Sequence, residues 1–483
     1  MRSTAPEGES LLRERFEEHR VLASGGRVTL LLGVSATLLF FNLGTRVLAT
    51  NDEARFPVLA RDILREGHWL LPRLDGLPHL NKPPLHAWLI ALAAWPTGAV
   101  TQWTAALPSV LAALVVVLTT YWIALRLFGA ERALVAGLTS LTTVGVFSFA
   151  RVPMPDMTFC AALTAALAAY VAAEFGRRRW ALVAFYGLMG MAFWTKGPAG
   201  LMPLAVVGVY LGLTYGWSGL RRLVSAPGML LLAFLVGAWV VLSVLASRDE
   251  QLVNDVVVAD LLLWYVPTRA PGWHQALQPP LQALTILLPW SVLLPGAIWI
   301  AFRPVGPESA RRTRFLLLWL GVVFVLVAVT REQRMRYYLP LCPPAALLIA
   351  GWYATLRSHR RALGFACVWV LVVASGLTID SYARARHNAR TDLDAASREL
   401  SRATRMYAVD APELVFAFYL ERPVTILPAY HDFEVRARHG DADLLIIAER
   451  AMPASLGDDL HQVATAVVDR RRLSILASGR RQE

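Results

Sequence analysis

Five short stretches of this sequence carry residue types that could bind a phosphate group and move a proton. They are two adjacent acids with a nearby arginine, a lone lysine, a further aspartate, a second lone lysine, and a turn rich in arginine and tyrosine: Asp52, Glu53 and Arg55; Lys82; Asp156; Lys196; and Arg334, Arg336, Tyr337 and Tyr338. A carboxylate can take a proton from an attacking hydroxyl group. Lysine and arginine stabilise negative charge that grows on a departing phosphate. Together these residue types suit group transfer from a phosphate-bearing donor.

Lysine is rare in this chain. Of 47 basic residues, Lys82 and Lys196 are the only two lysines, and the others are arginines. A codon bias towards arginine explains the excess, but it also draws attention to the positions that keep lysine. Lysine is a compact point charge on a flexible stem, whereas arginine is a planar fork. We therefore expect both lysines to have a role that arginine does not fill.

Each candidate also has a purely structural interpretation. Asp52 could cap the helix that follows it, and Asp156 could cap the apolar run beside it. Lys196 precedes Gly197-Pro198, so it could lie at a helix end with its ammonium group directed to water. The arginines of 331–336 could simply be tolerated in a short loop. Their convergence on one membrane face would favour function, because charges next to apolar spans are costly.

The composition indicates a polytopic membrane protein. Of 483 residues, 56% are hydrophobic and only 17% are charged, so a soluble fold of this length could not cover the apolar surface. With a span requirement of about 20 residues, the pattern predicts about 11–13 transmembrane helices in an all-α core. The clearest apolar runs are 27–47, 105–128, 133–150, 157–173, 180–195, 199–215, 227–246, 279–302, 315–330, 337–356 and 362–379. A helix over 84–96 is too short to cross and is expected to lie along the membrane face.

The distribution of arginine orients these spans. If 84–96 does not cross, most arginine clusters fall on one side, which the positive-inside bias assigns to the cytoplasm: Arg126 with Arg132, 177–179, 221–222, 303–314 and 357–361. All five candidate stretches then lie on the outer side, together with the loop 247–278. The turn 331–336 violates the bias, which favours an anion-binding role for its arginines.

The chain divides into three parts. Residues 1–26 are charged and are expected to form a cytoplasmic segment, and 27–380 form the transmembrane domain with a first outer loop at 48–83. Within that loop, the apolar spacing predicts a short helix over 56–65 that ends at Gly67.

Residues 381–483 are expected to form a small soluble α/β domain on the outer side. Its pattern predicts strands at 406–410, 424–427, 443–448 and 474–476, and helices at 413–420 and 454–463. This part lacks a Gly-rich phosphate loop and a set of His and Cys residues at metal-binding spacing. We therefore expect it to have a structural role, in docking or in bracing the transmembrane domain.

The order and spacing of five motifs resemble a known superfamily. The motifs are Asn51-Asp52-Glu53-Ala54-Arg55, Asn81-Lys82-Pro83-Pro84-Leu85-His86-Ala87-Trp88, Arg151-Val152-Pro153-Met154-Pro155-Asp156-Met157, Thr195-Lys196-Gly197-Pro198-Ala199-Gly200 and Arg336-Tyr337-Tyr338-Leu339-Pro340. The sequence is similar to the GT-C superfamily of polyprenyl-phosphate-sugar glycosyltransferases over about residues 28–380. It is most similar to the aminoarabinose transferases that modify lipid A (glycosyltransferase family 83) and to the protein O-mannosyltransferases (family 39).

The resemblance implies an activity and a role for each motif. Asp52 would be the catalytic acid/base and Asp156 a second essential carboxylate, while Lys82, Arg336 and Tyr337 would hold the donor phosphate with Lys196 nearby. The donor would be a sugar on undecaprenyl phosphate or a dolichol-type lipid, transferred with inversion on the outer face of the bacterial inner membrane. The acceptor would be a cell-envelope glycolipid like lipid A, a polysaccharide or a protein. Membrane lipids are expected partners, and neither a nucleotide cofactor nor a nucleic acid is expected.

One departure from the family pattern leaves it undecided whether a divalent cation binds and which residues would bind it. Family 83 members usually carry glutamate before the Lys-Pro-Pro run, where it can bind a divalent cation. Asn81 occupies that position here and is a weaker, uncharged ligand. His274 and Asp260 of the loop 247–278 are the remaining candidates for a metal or acceptor site.

Two other functions are compatible with the polar residues. A lipid-sugar flippase would need polar groups at mid-membrane and on both faces. The predicted spans are almost free of charge at their centres, and the polar set lies on one side, which favours the transferase. A non-catalytic scaffold that binds lipid phosphate would keep the cations and tolerate loss of Asp52.

Overall fold

The computed structural model describes residues 25–74, 76–246, 273–353, 359–391, 393–401, 403–453, 455–457, 459–468 and 471–478. Helices dominate to residue 400, and a mixed sheet follows. The helices of the first part are α1 Gly25–Phe40, α2 Asn51–Glu66, α3 Leu85–Ala94, α4 Gln102–Phe128, α5 Ala130–Leu141, α6 Val144–Phe149, α7 Pro155–Glu174, α8 Ala181–Lys196, α9 Met202–Tyr215, α10 Ala226–Ala246, α11 Trp273–Ile286, α12 Leu294–Ala301, α13 Pro307–Ala328, α14 Cys342–Tyr353, α15 His359–Asn388 and α16 Asp394–Leu400.

Within the described residues, four stretches of helix are long and apolar enough to cross a membrane: Gln102–Phe128, Pro155–Glu174, Ala181–Tyr215 and Ala226–Leu245. A bilayer core of about 30 Å needs about 20 helical residues at 1.5 Å each, which these stretches supply. The core between them includes fully buried aromatic side chains, with the Tyr210 and Phe315 ring centroids 5.4 Å apart. The chain is a helical membrane protein, as its composition predicted.

Two of the predicted spans are interrupted at prolines. The stretch 279–302 consists of the end of α11, a short 3₁₀ turn at Trp290–Val292 and α12, with Pro289 and Pro295 beside the turn. The stretch 337–356 begins in a 3₁₀ helix, Met335–Leu341, that contains Pro340. Proline lacks the backbone donor that a continuous helix needs. The interruption before α14 allows Arg336 and Tyr337 to lie on a tight turn at the end of the bundle.

The first outer loop contains the predicted helix, which starts earlier than the apolar spacing indicated. Helix α2 begins after Thr50, whose hydroxyl accepts a hydrogen bond from the Glu53 amide, and ends at Gly67, which has a left-handed φ of 73°. A two-residue hairpin, β1 Arg73–Leu74 with β2 Leu77–Pro78, follows. The 10-residue helix α3 then leads to α4. Because α2 starts at Asn51, Asp52 lies in its first turn.

The C-terminal part is the predicted α/β domain. Its remaining elements are β3 Met406–Val409, α17 Glu413–Leu420, β4 Thr425–Ile426, α18 Tyr430–Arg438, β5 Leu444–Ala448, β6 Leu460–Val468 and β7 Arg471–Ser478. The strand order is β4-β3-β5-β7-β6, with β4, β3 and β5 parallel and the last two pairings antiparallel. Ala408 of β3 pairs with both Ile426 and Ile446, which sets the register of the parallel half.

The prediction of a helix over 454–463 is wrong. The described residues of this stretch include no helix, and 460–463 belong to β6, which pairs along its length with β7. Short apolar runs cannot be assigned to helix or strand by periodicity alone, and the partner strand decides the outcome here. The last long helix, α15, also continues to Asn388, beyond the expected domain boundary at 380. Residues 1–24, Asp260 and the side chain of His274 lie outside the described part.

Helix α17 of the C-terminal domain packs along α2. The buried Arg61 guanidinium donates hydrogen bonds to Ala417 O at 2.8 Å and to Phe418 O at 2.7 Å. These carbonyls belong to the last turn of α17, where a helix has no internal donors. Arg61 therefore supplies hydrogen-bond donors to the terminal carbonyl groups of a helix about 356 residues away in sequence.

We expect Arg61→Ala to weaken this docking by about 2 kcal/mol, because it leaves two buried carbonyls without donors. The result should be an increase of roughly thirtyfold in hydrogen exchange of the α17 amides, measured on the full chain in detergent. Arg65→Ala is the matched control. Arg65 pairs with Glu421 at the same interface but is about half exposed, so its loss should have little effect. Equal effects of both changes would contradict the assignment.

Candidate functional site

A cavity of about 400 Å³ opens where α7, α8, α10 and α13 end near the first outer loop. Its charged lining comes from four of the five stretches singled out above and from Glu332. The charged lining residues are Asp52, Arg55, Lys82, Lys196, Glu332, Arg334 and Arg336. Five of these are cations and two are acids, so the described part of the lining has an excess of positive charge. Such a cavity attracts anions.

Asp52 lies at the centre of an arginine cluster. Its Oδ2 accepts a hydrogen bond from Arg336 at 2.8 Å and another from Arg334, and Arg55 lies 3.4 Å from its Oδ1. Burial acts to raise the pKa of Asp52, but the Arg336 hydrogen bond and the charges of Arg336, Arg55 and Arg334 outweigh it and lower that pKa. Asp52 is therefore a carboxylate at neutral pH.

Asp156 lies behind this cluster, at the first turn of α7. Its Oδ1 accepts a hydrogen bond from Lys196 at 2.5 Å, and its Oδ2 is 3.6 Å from Arg336 Nε. Asp156 is buried and does not line the cavity. Arg336 thus lies between two carboxylates, and Asp156 fixes the two cations, Arg336 and Lys196, that do line the cavity.

The loop before Asp156 is fixed by buried polar contacts. Ser109 of α4 donates a hydrogen bond to Val152 O at 2.8 Å. Arg151 forms an ion pair with Asp380 of α15 at 3.0 Å, and its guanidinium lies 4.4 Å from the Phe147 ring centroid. Pro155 then opens α7, since a helix needs no backbone donor in its first turn. These contacts determine where the Asp156 carboxylate points.

Lys82 is the cation in the cavity that forms no ion pair with a described residue. Burial, together with the charges of Lys196 and Arg55, lowers the pKa of Lys82 to about 8, although Asp156 and Asp52 act in the opposite direction. An ammonium group that is poorly solvated and lacks a carboxylate gains most from an incoming anion. Lys82 is thus the best-placed group to bind a phosphate.

Lys196 contacts aromatic faces as well as Asp156. Its Nζ lies 4.4 Å from the Tyr337 ring centroid and 5.4 Å from that of Phe159. Both rings line the cavity, and cation–π contacts of this kind fix the ammonium position. The remaining wall is largely apolar and includes Phe193, Met202, Trp239, Val240 and Val244. The cavity is therefore cationic at one end and apolar along its side, which suits an apolar chain that carries an anionic group.

Besides Asp156, two of the candidate residues do not line the cavity. Glu53 is buried, and its carboxylate binds Arg46 at 2.5 Å and the Ala49 amide at 3.0 Å. Asp52 and Glu53 are about 100° apart on the helix, so only one of them can face the cavity. Tyr338 is buried and donates a hydrogen bond to Gln333 Oε1 at 2.5 Å. Both residues shape the backbone near the site instead of lining it.

Glu332 lines the cavity, but sequence reasoning did not select it. It lies 3.1 Å from Arg334, so Arg334 bridges Glu332 and Asp52. The signal that could have found it was its place within the turn 331–336. The charge bias draws attention only to the arginines of that turn, because they are the residues that violate it.

The described residues do not fit a divalent cation. No group of three or more His, Cys, Asp or Glu side chains converges within the described part of the chain. Asp52 and Glu332 are bound to arginine and Asp156 to lysine, and Asn81 offers one neutral oxygen. A cation would have to displace these partners in a region that is already positive.

Comparison with known proteins agrees with the motif resemblance. A family model described as dolichyl-phosphate-mannose-protein mannosyltransferase matches residues 81–246. The undecaprenyl phosphate-alpha-4-amino-4-deoxy-L-arabinose arabinosyl transferase of Pectobacterium carotovorum is 29% identical over 347 residues, which are 69% of this chain and 60% of that protein. This chain therefore spans about three fifths of the length of that relative.

Solved structures share the fold. ArnT from Cupriavidus metallidurans bound to undecaprenyl phosphate superposes with a TM-score of 0.77 at 21% identity, over 93% of this chain and 98% of that chain. The archaeal oligosaccharyltransferase AglB from Archaeoglobus fulgidus, in complex with an inhibitory peptide and a dolichol-phosphate, gives 0.58 at 12% identity, over 88% and 69%. The chain thus has the fold of these two proteins, and it is similar in sequence to the arabinosyl transferase.

Proposed function

We propose that this protein is an integral-membrane glycosyltransferase that moves a sugar from undecaprenyl phosphate to a cell-envelope acceptor. The observation that carries the proposal is the cavity itself. Lys82 lines it without an ion pair to any described residue, and the Asp52–Arg336 pair lines it as well. The apolar side wall suits a polyprenyl chain, and the cationic end suits its phosphate. One relative is an undecaprenyl phosphate-alpha-4-amino-4-deoxy-L-arabinose arabinosyl transferase, and the ArnT structure is bound to undecaprenyl phosphate, so both support the same substrate class.

The proposed reaction is a single displacement at the anomeric carbon of the sugar. An acceptor oxygen forms the new bond as the bond between that carbon and the phosphate oxygen breaks, so the configuration inverts. Lys82 and Arg336 bind the phosphate and stabilise the charge that it gains on departure. Asp52 accepts the acceptor proton late in the reaction, when the attacking oxygen has become strongly acidic. Asp156 holds Arg336 and Lys196 in place, with Tyr337 beside them.

The orientation and the number of spans are part of the proposal. Arginine-rich turns such as 177–179 and 221–222 would face the cytoplasm under the positive-inside bias. The cavity and the C-terminal domain, 381–483, would then face the periplasm. The helical part, 27–380, would cross the inner membrane about 11–13 times, with several spans built from broken helices. The acceptor class stays open among a lipid A-like glycolipid, a polysaccharide and a protein.

The proposal is tested with purified protein in proteoliposomes that carry an undecaprenyl-phosphate sugar labelled in the sugar ring. The transferase predicts the appearance of undecaprenyl phosphate together with a labelled acceptor, when an envelope extract is added on the outer side. A flippase would move the intact donor between leaflets without cleaving it. A scaffold would bind the donor and do neither. Movement or binding without cleavage, across a panel of donor sugars, would overturn the proposal.

The pKa of Lys82 gives a pH prediction. A sugar phosphodiester keeps one negative charge at neutral and alkaline pH, so a change in donor affinity there reports on the protein. Lys82 binds phosphate in its charged form, which is lost as the pH rises through about 8. We expect the donor Kd to rise roughly tenfold between pH 7 and pH 9, measured by titration of donor into wild-type protein.

Lys82→Arg is the control for this prediction, because arginine remains charged across that range. Its donor Kd is expected to be nearly constant from pH 7 to pH 9, whatever its absolute value. A tenfold rise in the Lys82→Arg variant, or a flat profile in the wild type, would show that another group controls binding.

A further inference from the structure

The first residue of α2 is bonded directly to the C-terminal domain. Asn51 Nδ2 donates a hydrogen bond to Glu413 Oε2 at 2.7 Å, and Asn51 Oδ1 accepts one from the Leu414 amide at 3.1 Å. Both contacts cross more than 360 residues of sequence. They join Asn51, the neighbour of Asp52, to the first turn of α17.

Asn51 caps a helix to which it does not belong. The first amides of a helix have no internal partners, and a side-chain oxygen usually satisfies one of them. In α17 the capping position is Pro412, which makes no side-chain cap hydrogen bond. Asn51 supplies that oxygen from α2, and Glu413 receives the amide hydrogen of Asn51 in return. The two contacts form a reciprocal clamp between the helices.

A second contact restrains the segment just before α2. The Tyr419 hydroxyl, also on α17, accepts hydrogen bonds from the Leu48 amide at 2.8 Å and from Gln102 Nε2 at 2.9 Å. The start of α2 is thus bonded to α17 on both sides of Thr50. Asp52 follows immediately, and its Oδ2 lies 2.8 Å from Arg336 on the opposite side of the cavity.

We propose that Asn51 and Glu413 are positioning residues, through which the C-terminal domain sets the place of the Asp52 carboxylate. The inference rests on the proposed function, and it gives the C-terminal domain a part in turnover. A shift of about 1 Å in a reacting group costs up to about a hundredfold in rate. Without the clamp, the first turn of α2 is free to follow the pull of Arg336 and Arg334 on Asp52. Lys82 and Arg336, the proposed phosphate ligands, lie on other elements, so donor binding should change little.

The charge pattern of the clamp permits a rescue experiment in the full-length protein. Asn51→Asp places a carboxylate against Glu413 and should lower kcat about thirtyfold, with the donor KM changed by less than about twofold. Glu413→Gln alone should be mild, because a glutamine side chain can still accept from Asn51. The double variant Asn51→Asp with Glu413→Gln should return to within about threefold of wild type, because the introduced amide can donate to the introduced carboxylate. Arg65→Gln, at the far end of the same interface, is the matched control.

Hydrogen exchange of residues 48–56, measured without substrate, separates this inference from the proposed function. We expect faster exchange in Asn51→Asp and in Glu413→Ala, and wild-type exchange in the double variant and in Arg65→Gln. If no protein turns over but exchange follows this pattern, the clamp stands and the transferase fails. If exchange is unchanged in Glu413→Ala, or the double variant is as slow in turnover as Asn51→Asp, the clamp is overturned. The clamp is also overturned if Asn51→Asp lowers the melting temperature as well as kcat and the double variant recovers neither.

Discussion

Replacing Asp52 with asparagine is expected to lower kcat by about a thousandfold while the donor still binds. The substitution keeps the size and one oxygen of the side chain, so Arg336 and Arg334 retain an acceptor. It removes the negative charge and the capacity to take a proton from the acceptor. Because Lys82 does not pair with Asp52, the phosphate should bind about as well as before, or slightly better in a more positive cavity. Rapid-quench measurement of undecaprenyl phosphate release, beside a donor titration, tests both parts.

Asp62→Asn is a matched control for this experiment. Asp62 lies on the same helix, away from the cavity, and its carboxylate binds His68 and the Arg73 amide. Turnover of that variant should stay within about twofold of wild type. Retention of more than a tenth of the wild-type kcat in Asp52→Asn would remove Asp52 from the chemistry. It would move the function towards a carrier or a scaffold.

Replacing Arg336 with glutamine is expected to impair both binding and turnover. Arg336 is the side chain that contacts both carboxylates of the site, at 2.8 Å from Asp52 and 3.6 Å from Asp156. Its loss removes a phosphate ligand and leaves the Asp156 carboxylate with Lys196 as its one remaining ion-pair partner in the described part. We expect the donor Kd to rise about thirtyfold and kcat to fall about a hundredfold. Titration of donor and single-turnover rates measure the two effects separately.

Arg331→Gln provides the comparison, since Arg331 is exposed in the same turn and does not line the cavity. It should behave as wild type. Arg336→Lys keeps the charge but cannot contact both carboxylates as a fork does, so an intermediate loss is expected. If Arg336→Gln binds donor normally and only its melting temperature changes, Arg336 is structural and the phosphate lies elsewhere.

The convergence of the charged residues could be predicted because it followed from topology alone. Apolar runs and the arginine bias predict that Asp52, Lys82, Asp156 and Lys196 lie on one side of the membrane, and the structure brings them together. The scarcity of lysine selected two residues that both line the cavity. The body and the end of α2 were also predictable, since the apolar spacing and Gly67 mark them.

Side-chain direction could not be predicted at the same level. Asp52 and Glu53 have the same chemistry, and the helix rotation that separates them depends on where Arg46 and Arg336 lie in space. The breaks near Pro289 and Pro340 were hidden because apolar composition continues through them. The pattern over 454–463 predicts a helix, whereas 460–463 form a strand because they pair with β7, a tertiary contact that local periodicity does not reveal. The Asn51–Glu413 hydrogen bond joins residues 362 positions apart, so no local sequence pattern predicts it.

The most direct test of the central claim is a single-turnover experiment with excess wild-type protein over a doubly labelled undecaprenyl-phosphate sugar. For a transferase, undecaprenyl phosphate and glycosylated acceptor should appear with the same rate constant and in equal amounts. Asp52→Asn should bind the same donor and release neither product. Recovery of only intact donor from the wild-type protein, with every donor and acceptor combination tried, would contradict the transferase function.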